Sequence, residues 1–104
     1  MDFSIVYITC SHLDTAQSIG RQLVEERLTA CVNIIGPILS IYEDASLVEK
    51  QEYILLAKTL SDRVENLIRR VLELHEYNTP AILAWSVDGD EHFLDWMKRY
   101  LTQR

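Results

Sequence analysis

The 104-residue sequence holds only two cysteines, three glycines and two prolines, and fewer cationic than anionic residues. Each scarcity removes a class of answer. Cys10 and Cys31 are too few and too far apart for a secreted disulfide framework or a paired CxxC zinc site, so a reducing compartment is the simpler expectation. A membrane helix needs about 18 or more consecutive apolar residues, and no window approaches that. The opening stretch MDFSIVYITC has no basic segment ahead of its apolar run, so it does not read as a secretory signal. The chain is read as cytoplasmic. Ten Lys and Arg against sixteen Asp and Glu leave a formal charge of −6. Phosphate backbones and anionic lipid surfaces are bound through cations, so neither nucleic acid nor membrane is expected as a partner. Also missing are GxSxG, P-loop, GxGxxG and HExxH patterns, and Ser11 beside His12 is only adjacency in sequence, so no enzyme is expected.

What is present is an ordinary globular balance, 48% hydrophobic and 25% charged, in a length that suits one domain spanning 1–104. FSIVYITC at 3–10 is rich in β-branched and aromatic types and reads as a first strand. Asp14 with Gln17 has the form of a capping box, followed by Ala16, Ile19, Leu23, Val24 and Leu28 at helical spacing. Gly20 inside that helix implies close packing against the sheet. A second strand starts at Cys31, and Gly36 and Pro37 within it require an edge position or a bulge. EDAS at 43–46 reads as a turn and 47–59 as the returning strand, making a long hairpin. Asp62 with Glu65 gives another capping box, opening a helix over about 61–75. Pro80 ends that helix's reach, AILAWSV at 81–87 reads as a fourth strand, and Asp88, Gly89 and Asp90 turn the chain into a last helix carrying Phe93, Leu94, Met97, Tyr100 and Leu101.

The order is βαββαβ plus a C-terminal helix, an α/β (α+β sandwich) fold of the ferredoxin-like kind with an antiparallel sheet. Right-handed crossovers place strand three between strands one and two and antiparallel to both. Helices are expected on one face only, leaving the other to be covered by further copies of the chain.

LVEERLTACVNI at 23–34, the hairpin leading to LLAKT at 55–59, LHEYNTPAI at 74–82 and FLDWM at 93–97 together resemble the CutA (divalent-cation tolerance) family across nearly the whole chain. The resemblance implies a homotrimer whose long hairpins extend neighbouring sheets, and a link to tolerance of divalent cations, copper (Cu2+) especially. Animal members are associated with anchoring of acetylcholinesterase. A trimeric layout similar to the PII signalling proteins implies the alternative of a sensor or scaffold that takes a small ligand or protein partner at clefts between subunits. The chain departs from the family pattern at its hairpin tip, where Tyr42 precedes Glu43, Asp44, Ala45 and Ser46 in place of a Trp-rich segment. It departs again at His75-Glu76-Tyr77, which stands where His-Pro-Tyr is usual, and at Ala81, where a Glu is usual.

Soft and borderline divalent metals prefer thiolate and imidazole, which singles out Cys10, Cys31, His12, His75 and His92. Strand one ends at Cys10 and the second helix ends at His75 on the same side of the sheet, whereas Cys31 begins a parallel strand at the far side. The resemblance implies copper ligands at Cys10 and at a histidine pair whose second member is His75. The first member is Leu74 here, and His12 is the proposed substitute, giving a Cys10, His12 and His75 metal site. The competing reading makes Cys10 a small core residue, His75 a polar residue near a helix end and His12 a solvated one. Lys58, Tyr77 and Trp85 are candidates for an intersubunit cleft or for interface packing. Glu43, Asp44, Glu49 and Glu52 read as a solvated hairpin edge, and Asp88 and Asp90 as turn and cap residues.

Overall fold

The computed structural model describes residues 2–103. Elements follow in the order β1 (Phe3–Cys10), α1 (Leu13–Glu25), β2 (Cys31–Asp44), β3 (Ser46–Leu60), a 3-10 turn (Ser61–Arg63), α2 (Val64–Leu74), β4 (Ile82–Val87) and α3 (Glu91–Thr102). The four strands form one antiparallel sheet in the order β2-β3-β1-β4, with β3 inserted between β2 and β1 as expected.

Alternation along β1 sets the layers. Val6, Ile8 and Cys10 point to one face, where they meet Leu55 and Ala57 of β3, Ala16, Ile19 and Leu23 of α1, and Leu67 and Val71 of α2. Each large aliphatic side chain buried there contributes about 1.5–3 kcal/mol. Gly20 lets α1 lie close to the sheet, because a Cβ there would stand 3.0 Å from Val32 Cγ2.

The opposite face is not left bare along its whole length. Phe3 and Leu60 pair across β1 and β3 on that side, and together with Ala30 they receive Met97 and Leu101 of α3. The expectation that helices cover one face only is thereby corrected: α3 crosses to the second face because its apolar stripe finds a partner at this end. The rest of that face stays open, with Ile35, Leu83, Trp85, Phe93 and Trp96 exposed.

Two capping boxes drawn from sequence do not form. The residue capping α1 is His12, two positions before Asp14, and neither it nor the 3-10 turn at Ser61 has a side-chain cap hydrogen bond. Arg27, with φ of 58°, ends the first helical stretch before Leu28. At α3 the sequence reading holds: Asp90 accepts from Phe93 N at 2.9 Å, and Gly89 N donates to Asp88.

β2 lies at the sheet edge and shifts register between Ile35 and Ile38, as Gly36 and Pro37 required, and the Gly36–Pro37 bond is cis. Beyond Cys10, which pairs with Tyr53, β1 no longer accompanies the hairpin. Residues 38–52 therefore project as a two-stranded arm and stretch the molecule to 46 × 24 × 21 Å.

Candidate functional site

Two groups of polar side chains meet near the end of β1, at the root of the arm. The first contains the three residues proposed as metal ligands. His75 caps the C-terminus of α2 and is buried. Its Nε2 lies 2.7 Å from the Thr9 carbonyl, and its Nδ1 lies 3.0 Å from the Tyr77 backbone N. A carbonyl only accepts and a backbone N–H only donates, so Nε2 carries the hydrogen and both ring nitrogens are engaged. Cys10 is wholly buried among Leu and Ile side chains. Burial, reinforced by the nearby Glu76 and Glu52 charges, pushes its thiol up to about 11, away from the thiolate that metals require.

His12 differs from both. Its side chain is 72% exposed, its Nδ1 lies 2.9 Å from Ser11 Oγ and 3.6 Å from Glu76 Oε1, and Ser11 Oγ donates to the same carboxylate oxygen. The Ser11 hydroxyl, helped by the His12 ring, holds the Glu76 carboxyl below the usual carboxylate range. Cys10, His12 and His75 thus share one end of the sheet without forming a chelate. Among the described residues no three His, Cys, Asp or Glu side chains are grouped to hold a metal ion. The physical reason is the prior engagement of His75 and the apolar surroundings of Cys10.

Glu76 was missed by the sequence reading. It falls next to a predicted ligand, but only the wrap of the loop after α2 around the end of β1 brings it to Ser11, 65 positions earlier. Cys31, by contrast, pairs with Lys58 well along the sheet from Cys10, and both cysteines are free thiols. His92 is almost fully exposed beside Asp90.

The second group lines a cleft of about 510 Å3 between the arm and the loop after α2, formed by Tyr42, Asp44, Lys50 and Glu52 on one side and Thr9, Tyr77 and Thr79 on the other. Tyr77 donates to Glu52 Oε2 at 2.7 Å, and Lys50 donates to Tyr77 Oη at 2.9 Å. The Tyr77 hydroxyl thereby bridges an ammonium and a carboxylate that are 3.8 Å apart. Bonding to Tyr77 pushes Lys50 up to about 12, and burial raises Tyr77. Lys50 also lies over the Tyr77 ring, 4.4 Å from its centroid.

One expectation is corrected here. Glu52, grouped with the solvated hairpin carboxylates, has a side chain only 7% exposed, because Tyr77 closes over it. Within one chain, moreover, Tyr77 does not meet Lys58 and Trp85. Those two share a row with Ile5, and Lys58 lies over the Phe93 ring of α3. Glu52 and Lys58 are six positions apart on β3, which is about 20 Å at 3.4 Å per residue.

Comparison with known proteins agrees with this architecture. The family described as CutA1 divalent ion tolerance protein matches residues 4–100. The divalent-cation tolerance protein CutA of Thermus thermophilus is 42% identical over 96 residues, covering 90% of this chain and 93% of its own. Among solved structures, CutA from Xylella fastidiosa superposes with a TM-score of 0.93 at 34% identity, covering 97% of this chain and 99% of its own. A protein from Archaeoglobus fulgidus described as a periplasmic divalent cation tolerance protein gives 0.91 at 33% identity, with 95% and 98% covered. A relative from Arabidopsis thaliana, 32% identical over 90% of this chain and 53% of its own length, is described as chloroplastic.

Proposed function

The chain belongs to the CutA1 divalent ion tolerance family, and from that premise we propose that it acts as a homotrimer that binds divalent cations, Cu2+ among them, and contributes to cation tolerance without catalysing a reaction. The observation that carries this reading is the family match over residues 4–100, and it is supported by the meeting of His12 with Ser11 and Glu76 at the end of the sheet that Cys10 and His75 also reach. Imidazole, thiolate and carboxylate are the donors that borderline divalent ions take.

Support for the trimer comes from the open part of the sheet. Ile35 of β2, Leu83 and Trp85 of β4, and Phe93 and Trp96 of α3 all stand exposed, more large apolar side chains than a monomer commonly leaves in water. Sister subunits would bury them, with residues 1–104 acting as one domain in each. Two free thiols suit a reducing, cytoplasmic setting, and among the described residues no helix is long and apolar enough to cross a membrane.

Sedimentation and calorimetry test the reading together. We expect a mass three times the 12.1 kDa of one chain and saturable heat on titration with Cu2+ or Zn2+. A folded 12.1 kDa species that binds neither ion would overturn it.

A second reading, a trimeric sensor or scaffold, rests on the Lys50, Tyr77 and Glu52 cleft. Its volume falls in the range of small-molecule sites, about 300–1,000 Å3. Selective thermal stabilisation by a small organic metabolite, with none by metals, would favour this reading over the first.

A further inference from the structure

Resting on the small-ligand reading given second above, we propose that the cleft between the arm and the loop after α2 takes a small zwitterion with its charges at opposite ends, an ω-amino acid in type. Its carboxylate meets Lys50, its ammonium meets Asp44, and the chain between them crosses Tyr42, all three of which line the cleft.

Lys50 is a donor already fixed in place. Its Nζ lies 2.9 Å from Tyr77 Oη, and 4.4 Å and 5.6 Å from the centroids of the Tyr77 and Tyr42 rings. An ammonium carries three hydrogens and Tyr77 Oη takes one, which leaves hydrogen to give to a carboxylate in the cleft. The Lys50 side chain is 33% exposed, so a ligand can reach it. Glu52 does not stand in the way. Its side chain is only 7% exposed, and the oxygen that lies 3.8 Å from Lys50 Nζ accepts the Tyr77 hydrogen at 2.7 Å, so it holds the ammonium from the buried side.

Asp44 supplies the opposite charge at a distance. Lys50 pairs with Ser40, and Tyr42 and Asp44 follow on the same face of β2, so Asp44 lies about 14 Å further along the strand at about 3.4 Å per residue. An α-amino acid, with its charges on neighbouring atoms, is too short to serve both groups, whereas an ω-amino acid carries one charge to each. Among the described residues Asp44 forms no ion pair, so its charge is free for an ammonium, which the face of the Tyr42 ring also attracts. The carboxylates of Asp44 and Glu52 outnumber the single ammonium of Lys50, so a ligand with a second carboxylate in place of the ammonium is repelled.

Titration of the assembled protein with γ-aminobutyrate, its isomer α-aminobutyrate, butyrate and succinate, followed by the NMR signals of Tyr42 and Tyr77, tests the assignment. Circular dichroism melting confirms that each variant is folded. In wild type γ-aminobutyrate should bind at least threefold more tightly than α-aminobutyrate or butyrate, and succinate should not bind. Lys50→Met should weaken γ-aminobutyrate tenfold or more and Lys50→Arg should weaken it less, while Asp44→Asn should erase the preference for γ-aminobutyrate over butyrate. Equal binding of γ-aminobutyrate and butyrate in wild type, binding of succinate, or affinity untouched by both Lys50→Met and Asp44→Asn would overturn the zwitterion and leave a ligand cleft standing. Silence toward all four probes would also overturn it, and the small-ligand reading would fall with it only if no organic metabolite stabilised the protein either.

Discussion

Tyr77 donates its phenolic hydrogen to Glu52 at 2.7 Å, and that bond ties the loop after α2 to the projecting arm. Position 77 lies just outside a helix and position 52 within a strand, so neither has a local reason to meet the other. Closure of the loop over the arm lets a carboxylate be buried where β1 has already ended.

Tyr77→Phe keeps the ring and removes the bond. Losing a hydrogen bond to a buried charged group costs about 1.5–3 kcal/mol, so urea unfolding should show a lower midpoint with an unchanged slope. Glu52→Gln, which retains an acceptor without the charge, should lose less than Tyr77→Phe. Equal stability of wild type and Tyr77→Phe would show that the bridge contributes nothing.

Cys10 predicts a pH dependence. Its thiol is raised to about 11 in the folded state from an ordinary value near 9.0. The folded protein therefore keeps this proton while the unfolded chain releases it, so stability is full below about pH 9 and falls as pH rises toward about 11. The slope from this one group approaches about 1.4 kcal/mol per pH unit. Melting temperature followed through that window should fall less steeply in Cys10→Ala than in wild type. Parallel curves would contradict the assignment.

Gly36 lies against an aromatic ring. A Cβ placed there would stand 2.4 Å from Tyr53 Cδ2, so Gly36→Ala must displace the ring that fills the root of the arm. Overpacking of this kind costs about 1–3 kcal/mol. Gly89→Ala, where nothing lies within 4 Å, serves as the control and should change stability little. Chemical denaturation of both variants checks the contrast.

Trp85 is 47% exposed in the single chain and points to the same open face as Ile5 and Lys58. If sister subunits cover that face, Trp85→Asp buries a charge at the interface and should convert the trimer to smaller or unfolded species in sedimentation. A full-size assembly of undiminished stability would mean that the face is covered elsewhere or left in water.

Element order, the inserted third strand and the long hairpin were legible in the sequence, because alternation in FSIVYITC and the three-to-four spacing from Ala16 to Leu23 are local signals tied to a buried face. Gly36 and Pro37 announced the edge and the register shift for an equally local reason: one lacks a side chain and the other lacks an N–H. Cap positions were less certain. Asp14 and Asp62 carried the right pattern, yet backbone packing started each helical turn at a different residue.

Chain order alone decided that Cys10, His12 and His75 would reach one end of the sheet, since strand direction follows from connectivity. Which of their donor atoms remain free was settled only by tertiary packing. Thr9 and the Tyr77 N–H occupy His75, Leu and Ile side chains enclose Cys10, and the loop after α2 delivers Glu76 to His12. Periodicity records the face a residue turns toward. The hydrogen bond it makes depends on segments far away in sequence, and their approach is fixed by how the layers pack.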